Sequence, residues 1–104
     1  MLTLEIYQTE NGKSPFIEWI DSFDNLEVVA KINARLLRLR LGNIGDCKSL
    51  GEGLFELRID TGPGYRIYFL NGDTQKILLL GGIKKTQMRD IKKAKNYLSD
   101  YRSR

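Results

Sequence analysis

Three strand-length segments, 54–60, 65–71 and 76–82, follow one another with almost nothing between them. The first gap is Thr61-Gly62-Pro63-Gly64, and the second centres on Asn71-Gly72-Asp73. Glycine supplies positive φ and proline presets φ, so the first gap reads as a turn. Asn-Gly between apolar runs is a strong hairpin signal. Strands joined this tightly must pair antiparallel, because a parallel crossover needs about a dozen residues or more. Any fold for this chain is therefore built on an antiparallel meander. Its third strand contains the uninterrupted run Ile77-Leu78-Leu79-Leu80, which predicts a central strand covered on both faces.

The flanking segments supply the cover. Residues 2–8 alternate, with Leu2, Leu4 and Ile6 on one side, and read as a half-buried strand. Ser14 followed by Pro15 marks a helix start, and Phe16, Trp19, Ile20 and Phe23 give a short amphipathic helix. Asp24 and Glu27 have capping-box spacing, so a second helix is predicted from about Asn25 to Leu41. Its apolar face is Val29, Ile32, Leu36 and Leu39, and Lys31, Arg35 and Arg38 form a solvated basic stripe beside it. Gly42-Asn43 ends that helix. Residues 42–53 are glycine-rich and read as the longest irregular segment. Thr86 is positioned to cap a last helix over roughly 87–101, with Ile91, Ala94, Leu98 and Tyr101 as its stripe. The expectation is one α+β domain over 1–104, ordered β-α-α-β-β-β-α. Its antiparallel sheet, the 54–82 meander plus the N-terminal strand, packs on a helical hairpin and a C-terminal helix, with the helices on one face.

Parity then singles out a set of cations. Phe55, Leu57 and Ile59 share a face with Tyr65, Ile67 and Phe69, since one face must be buried. Arg58, Arg66 and Tyr68 fall on the other. One register sets Arg58 directly opposite Arg66; another sets Asp60 opposite Arg66, and parity allows both. Lys84-Lys85 precede the last helix, whose N-terminus exposes unsatisfied N–H groups and a partial positive charge. Lys48 lies in the loop before the hairpin. Phe16, Trp19 and Phe23 read as core, Lys92, Lys93 and Lys95 as a solvated or partner-contacting face, and Gly62-Pro63-Gly64 as a turn.

Charge and residue usage narrow the chemistry. Lys and Arg total 17 against 13 Asp and Glu, a net charge of +4 that favours an anionic partner. There is no histidine and one cysteine, Cys47. Ser-His-Asp and Cys-His catalysis are excluded, Cys47 reads as an idle thiol, and neither a metal nor a cofactor is expected. Any proton transfer falls to Lys, Tyr, Asp, Glu or water. The first ten residues lack the pattern of a signal peptide and no apolar run approaches a membrane span, so a cytoplasmic protein is expected.

Four segments, in order, carry a resemblance: Gly42-Asn43-Ile44-Gly45-Asp46-Cys47-Lys48, Phe55-Glu56-Leu57-Arg58-Ile59, Gly62-Pro63-Gly64-Tyr65-Arg66-Ile67-Tyr68-Phe69, and Leu78-Leu79-Leu80-Gly81-Gly82-Ile83-Lys84-Lys85-Thr86-Gln87. Together they resemble the RelE/ParE superfamily of toxins, and most closely its phage-related addiction module killer protein branch, akin to HigB toxins. The resemblance implies the toxin of a type II toxin–antitoxin pair, and an endoribonuclease that cuts mRNA, in many members on the ribosome. It implies a cognate antitoxin as partner, in this branch commonly a helix-turn-helix protein, and no membrane. The motif arginine after Gly-Tyr matches Arg66, the Leu-Arg position matches Arg58, and the lysine of Gly-Gly-x-Lys matches Lys84. Lys48 matches the basic position of Gly-Asp-x-Lys. Ile83 stands where that branch commonly has a polar residue, and neither Tyr97 nor Tyr101 matches the C-terminal tyrosine of RelE-like enzymes.

The chemistry implied is attack of a ribose 2′-OH on the adjacent phosphate. Arg66, helped by Arg58, would grip the phosphate oxygens with a planar fork. Lys84 or Lys85, among other cations, would serve as base or acid. Tyr68, with Lys48 and Lys85 as RNA contacts, would stack on a base or position the sugar. Two rival readings share the sequence: a ParE-like gyrase inhibitor, and a basic module that binds nucleic acid or an acidic protein without cleaving anything.

Overall fold

The computed structural model describes residues 2–104. The order is β1 (Thr3–Ile6), α1 (Pro15–Asp21), α2 (Leu26–Arg40), β2 (Cys47–Gly51), β3 (Leu54–Ile59), β4 (Tyr65–Asn71), β5 (Gln75–Ile83), a 3₁₀ turn (Lys84–Thr86) and α3 (Gln87–Arg102). The fold is α+β, with a five-stranded sheet ordered β1-β5-β4-β3-β2. The meander forms as its turns require, and β5 is interior, between β1 and β4.

The helix ends follow local chemistry. Ser14 Oγ accepts from the Ile17 amide at 3.3 Å, with Pro15 at the first helical position. Asn25, rather than Asp24, caps α2, and its Oδ1 accepts from the Glu27 amide at 2.8 Å. The predicted 24/27 box is therefore replaced by a cap one residue later. Val28, rather than Val29, joins Ile32, Leu36 and Leu39 against the sheet. Gly42 terminates the helix with φ +86°, a conformation that costs glycine little.

Three expectations change. Residues 47–51 are a strand: Cys47, Lys48 and Ser49 pair with Leu57, Glu56 and Phe55. β1 runs parallel to β5, so the sheet is mixed. The helices also cover both faces. α1 and α2 enclose Leu57, Ile59, Tyr65, Ile67, Phe69 and Leu78, while α3 lays Ala94 and Leu98 over Leu54, Tyr68, Ile77, Leu79 and Leu80. The second face carries too many large apolar groups to be left wet.

A bulge in β5 sets up the site. Pairing with β4 steps from Phe69↔Leu78 to Tyr68↔Leu80, leaving Leu79 as an extra residue. Leu79 and Leu80 consequently both join the α3-side cluster. Beyond the bulge the strand's alternation is inverted. Gly81 then lies under Trp19, where an added Cβ would sit 2.0 Å from the indole. Gly82 lies under Asp90, where a Cβ would sit 2.0 Å from Oδ2. The paired glycines are explained by close approach on opposite faces. Trp19 in turn packs on Phe23 at 5.1 Å and within 6.4 Å of Tyr65, so the aromatic residues of α1 are core, as predicted. No helix among the described residues is long and apolar enough to cross a membrane.

Candidate functional site

The cations converge at the end of the meander where α3 begins. The register sets Arg58 directly opposite Arg66. Gly82 continues that row on β5. The ladder runs one step past the strand, as the Lys84 amide donates to Gly64 O at 2.8 Å. Gly64, at φ +76°, keeps the turn narrow: a Cβ there would lie 3.2 Å from Lys84 Cβ and 3.4 Å from Arg66 Nη1. The result is a cleft of ≈ 440 Å³, with Arg58, Asp60, Arg66, Lys84 and Gln87 around the Gly62-Pro63-Gly64 turn.

Two arginines facing each other would repel, and each is answered by its own carboxylate. Arg58 Nε donates to Glu56 Oε1 at 2.8 Å. Arg66 Nη1 donates to Asp60 Oδ1 at 3.1 Å and to Tyr65 O at 3.0 Å. These two acids differ in kind. Glu56 is fully buried and also accepts from Gln87 Nε2 at 2.8 Å. Burial alone would raise its carboxyl, but the hydrogen bonds from Arg58 and Gln87 and the Arg58 charge hold it below the ordinary value. Glu56 is thus a fixed anion that orients Arg58. Asp60 has a side chain 66% exposed, so its hold on Arg66 is screened by water.

Arg66 itself is only 4% exposed, and its Nε has no hydrogen-bond partner among the described residues. A buried N–H left unpaired costs about 1–3 kcal/mol. Arg66 nonetheless lines the cleft, so an anion bound there would lie against this side chain. Lys84 is exposed and forms no ion pair among the described residues. After the two arginine pairs cancel, Lys84 is the surplus positive charge of the cleft.

Of the residues singled out from the sequence, Arg58, Arg66 and Lys84 come together. Lys85 is exposed but does not line the cleft. Lys48 is exposed on β2, across from Glu56, and is also outside it. Tyr68 is corrected: it is 0% exposed under α3, so no ring face is open to a base. Burial, and then the neighbouring Glu56 charge, pushes its phenol well above the ordinary range. Arg35 is corrected too. Its guanidinium folds onto the carbonyls of Asp46 and Arg58 at 3.4 and 3.5 Å, filling the space above Gly45, where a Cβ would sit 2.4 Å from Nη1. Cys47 donates to Ile44 O at 3.2 Å, and burial lifts its thiol to about 11. It is an un-ionised thiol at neutral pH.

Two participants were not legible as such. Gln87 reaches Glu56 from the first residue of α3. Asp90, 3% exposed, accepts from Thr86 Oγ1 at 2.5 Å and fixes the turn that carries Lys84. The sequence signal was present for both: the Thr86–Asp90 spacing and a polar residue next to the helix start.

These features describe a small α+β protein with a walled cationic cleft at one end of its sheet. No protein-family model matches the sequence. An uncharacterized protein of Haemophilus influenzae is 53% identical over 81 residues, covering 77% of this chain and 82% of that protein. The chain belongs to the same family as that protein.

Proposed function

We propose that the chain is the toxin of a type II toxin–antitoxin pair, of the RelE/ParE kind, and acts as a metal-independent endoribonuclease on mRNA. The observation that carries this reading is the convergence of Arg66, the facing Arg58 and the unpaired Lys84 on one cleft. Two arginines held by carboxylates, with an unpaired lysine beside them, suit a phosphate that gains charge during reaction.

In the proposed step the 2′-oxygen attacks the adjacent phosphorus, an O–P bond forms, and the bond from phosphorus to the 5′-oxygen breaks. The products are a 2′,3′-cyclic phosphate and a free 5′-OH. Arg66 binds non-bridging oxygens, with Arg58 held in place by Glu56, which Gln87 anchors in turn. Lys84 stands at the cleft mouth, where it can donate the proton that the departing 5′-oxygen requires. The 2′-OH proton passes to water or to Asp60, the exposed carboxylate of the cleft. Lys48 and Lys85, on the surface outside the cleft, would add salt-dependent contacts to flanking phosphates. The partner in this reading is a cognate antitoxin, of helix-turn-helix type, encoded beside the toxin, and the ribosome would orient the mRNA.

The test is to induce the protein in cells and to follow mRNA 5′ ends and plasmid supercoiling in parallel, with purified protein then incubated with mRNA in the presence and absence of ribosomes. New 5′-OH ends with unaltered supercoiling support the reading. Altered supercoiling with intact RNA supports gyrase inhibition instead, and salt-sensitive binding with neither effect supports a non-enzymatic module.

A further inference from the structure

The outer face of α2 is unusually apolar. Leu26, Leu37 and Leu41 are 82%, 52% and 62% exposed. With Ala30 and Asn33 they follow a 4-3-4-4 spacing, which is one stripe of a helix. It lies away from the stripe of Ile32, Leu36 and Leu39 that faces the sheet. Exposed leucines are common singly, but three along one stripe of a helix are not.

The order of residues along the stripe names its occupant. The positions 26 and 41, 30 and 37, and 33 and 34 are each symmetric about one point between Asn33 and Ala34. A second α2 laid antiparallel across the first therefore sets Leu26 against Leu41 and Ala30 against Leu37, with Asn33 and Ala34 at the crossing. The flank is complementary within two residues of that register, about 3 Å along the axis. Glu27 and Arg38 lie on one side of the stripe, and antiparallel pairing brings Glu27 of one copy to Arg38 of the other. A two-fold interface requires this kind of self-complementarity.

We propose that α2 is a self-association surface, and that two copies of this chain pair antiparallel through Leu26, Leu37 and Leu41. The stripe is about 22 Å long at 1.5 Å per residue. One helix width of that length is small beside the usual ~800 Å² per partner, so the contact belongs to the weak, transient class. The cleft lies off this helix, so each copy keeps its own.

The experiment is sedimentation velocity of the purified full chain across the micromolar range. The expected result is a monomer–dimer equilibrium. Leu37→Asp, at an exposed position, should leave the melting temperature unchanged and abolish the dimer. Glu27→Arg should weaken the dimer roughly tenfold by setting like charges together at both ends. The exchanged variant, Glu27→Arg with Arg38→Glu, should restore it. A monomer at every concentration overturns the proposal. So does a dimer that survives Leu37→Asp, or a Glu27→Arg defect that the exchange does not repair.

Discussion

One face of the sheet has two different ends. At the Leu54 end, α3 covers it: Ala94 and Leu98 close over Leu54, Ile77 and Leu79. At the Arg58 end α3 is only beginning, and the same face opens into the cleft. In β3 and β4 the strand parity is the same at both ends. What differs is the helix overhead. Where α3 lies flat, this face is core. Where the chain must climb from β5 through Lys84–Thr86 into the helix, it leaves space lined by whatever the strands present, and here they present two arginines. The Glu56 row lies between: buried like the core, charged like the cleft.

The largest expected difference between the ends is in stability. Leu98→Ala should cost about 2–4 kcal/mol, as deletion of a buried leucine does. Lys84→Ala should change stability by less than about 0.5 kcal/mol, as an unpaired surface residue does. Urea unfolding of the pair checks this. Equal losses would mean the two ends are not distinct.

Glu56 tests the boundary. Glu56→Ala should cost about 2–3 kcal/mol, because Arg58 and Gln87 lose a buried partner. Arg58 remains partly exposed, which keeps the loss at the low end. The pH dependence has a definite sign. The folded-state value of Glu56 is depressed, so its stabilisation is present above the ordinary value of about 4.3 and is lost as pH falls through the lower folded one. Acid unfolding curves of the variant should therefore be flatter below about pH 4 than those of the parent.

The smallest effect concerns Asp60, the exposed carboxylate on Arg66. Removing its charge should leave the fold intact and tighten RNA binding by up to about fivefold, since an exposed pair is worth under about 1 kcal/mol. Fluorescence anisotropy with labelled RNA measures it. Weaker binding by Asp60→Asn would show that the carboxylate builds the cleft rather than competing with the anion.

Most of the framework was legible because local signals specified it. Gly62-Pro63-Gly64, Asn71-Gly72, Ser14-Pro15 and Gly42 each fix a turn or a helix end within a few residues. β2 was not, since Cys-Lys-Ser-Leu-Gly has little apolar alternation and is held as an edge strand by pairing with β3. The bulge at Leu79 was hidden because a run of leucines carries no parity. That bulge inverts the alternation ahead of Gly82 and Lys84. Arg58 and Arg66 were found by alternation alone. Tyr68 and Glu56 were placed on the correct face but expected in water, because nothing local says how far α3 will cover a sheet that is distant in sequence.

The central claim is that the open end of this face is a phosphate site for cutting RNA. The most direct measurement maps mRNA 5′ ends in cells induced for the parent, Arg66→Ala and Leu98→Ala proteins at matched levels of folded protein. The account predicts new 5′-OH ends for the parent and for Leu98→Ala, and none for Arg66→Ala. New ends produced equally by Arg66→Ala, or by none of the three, would contradict it.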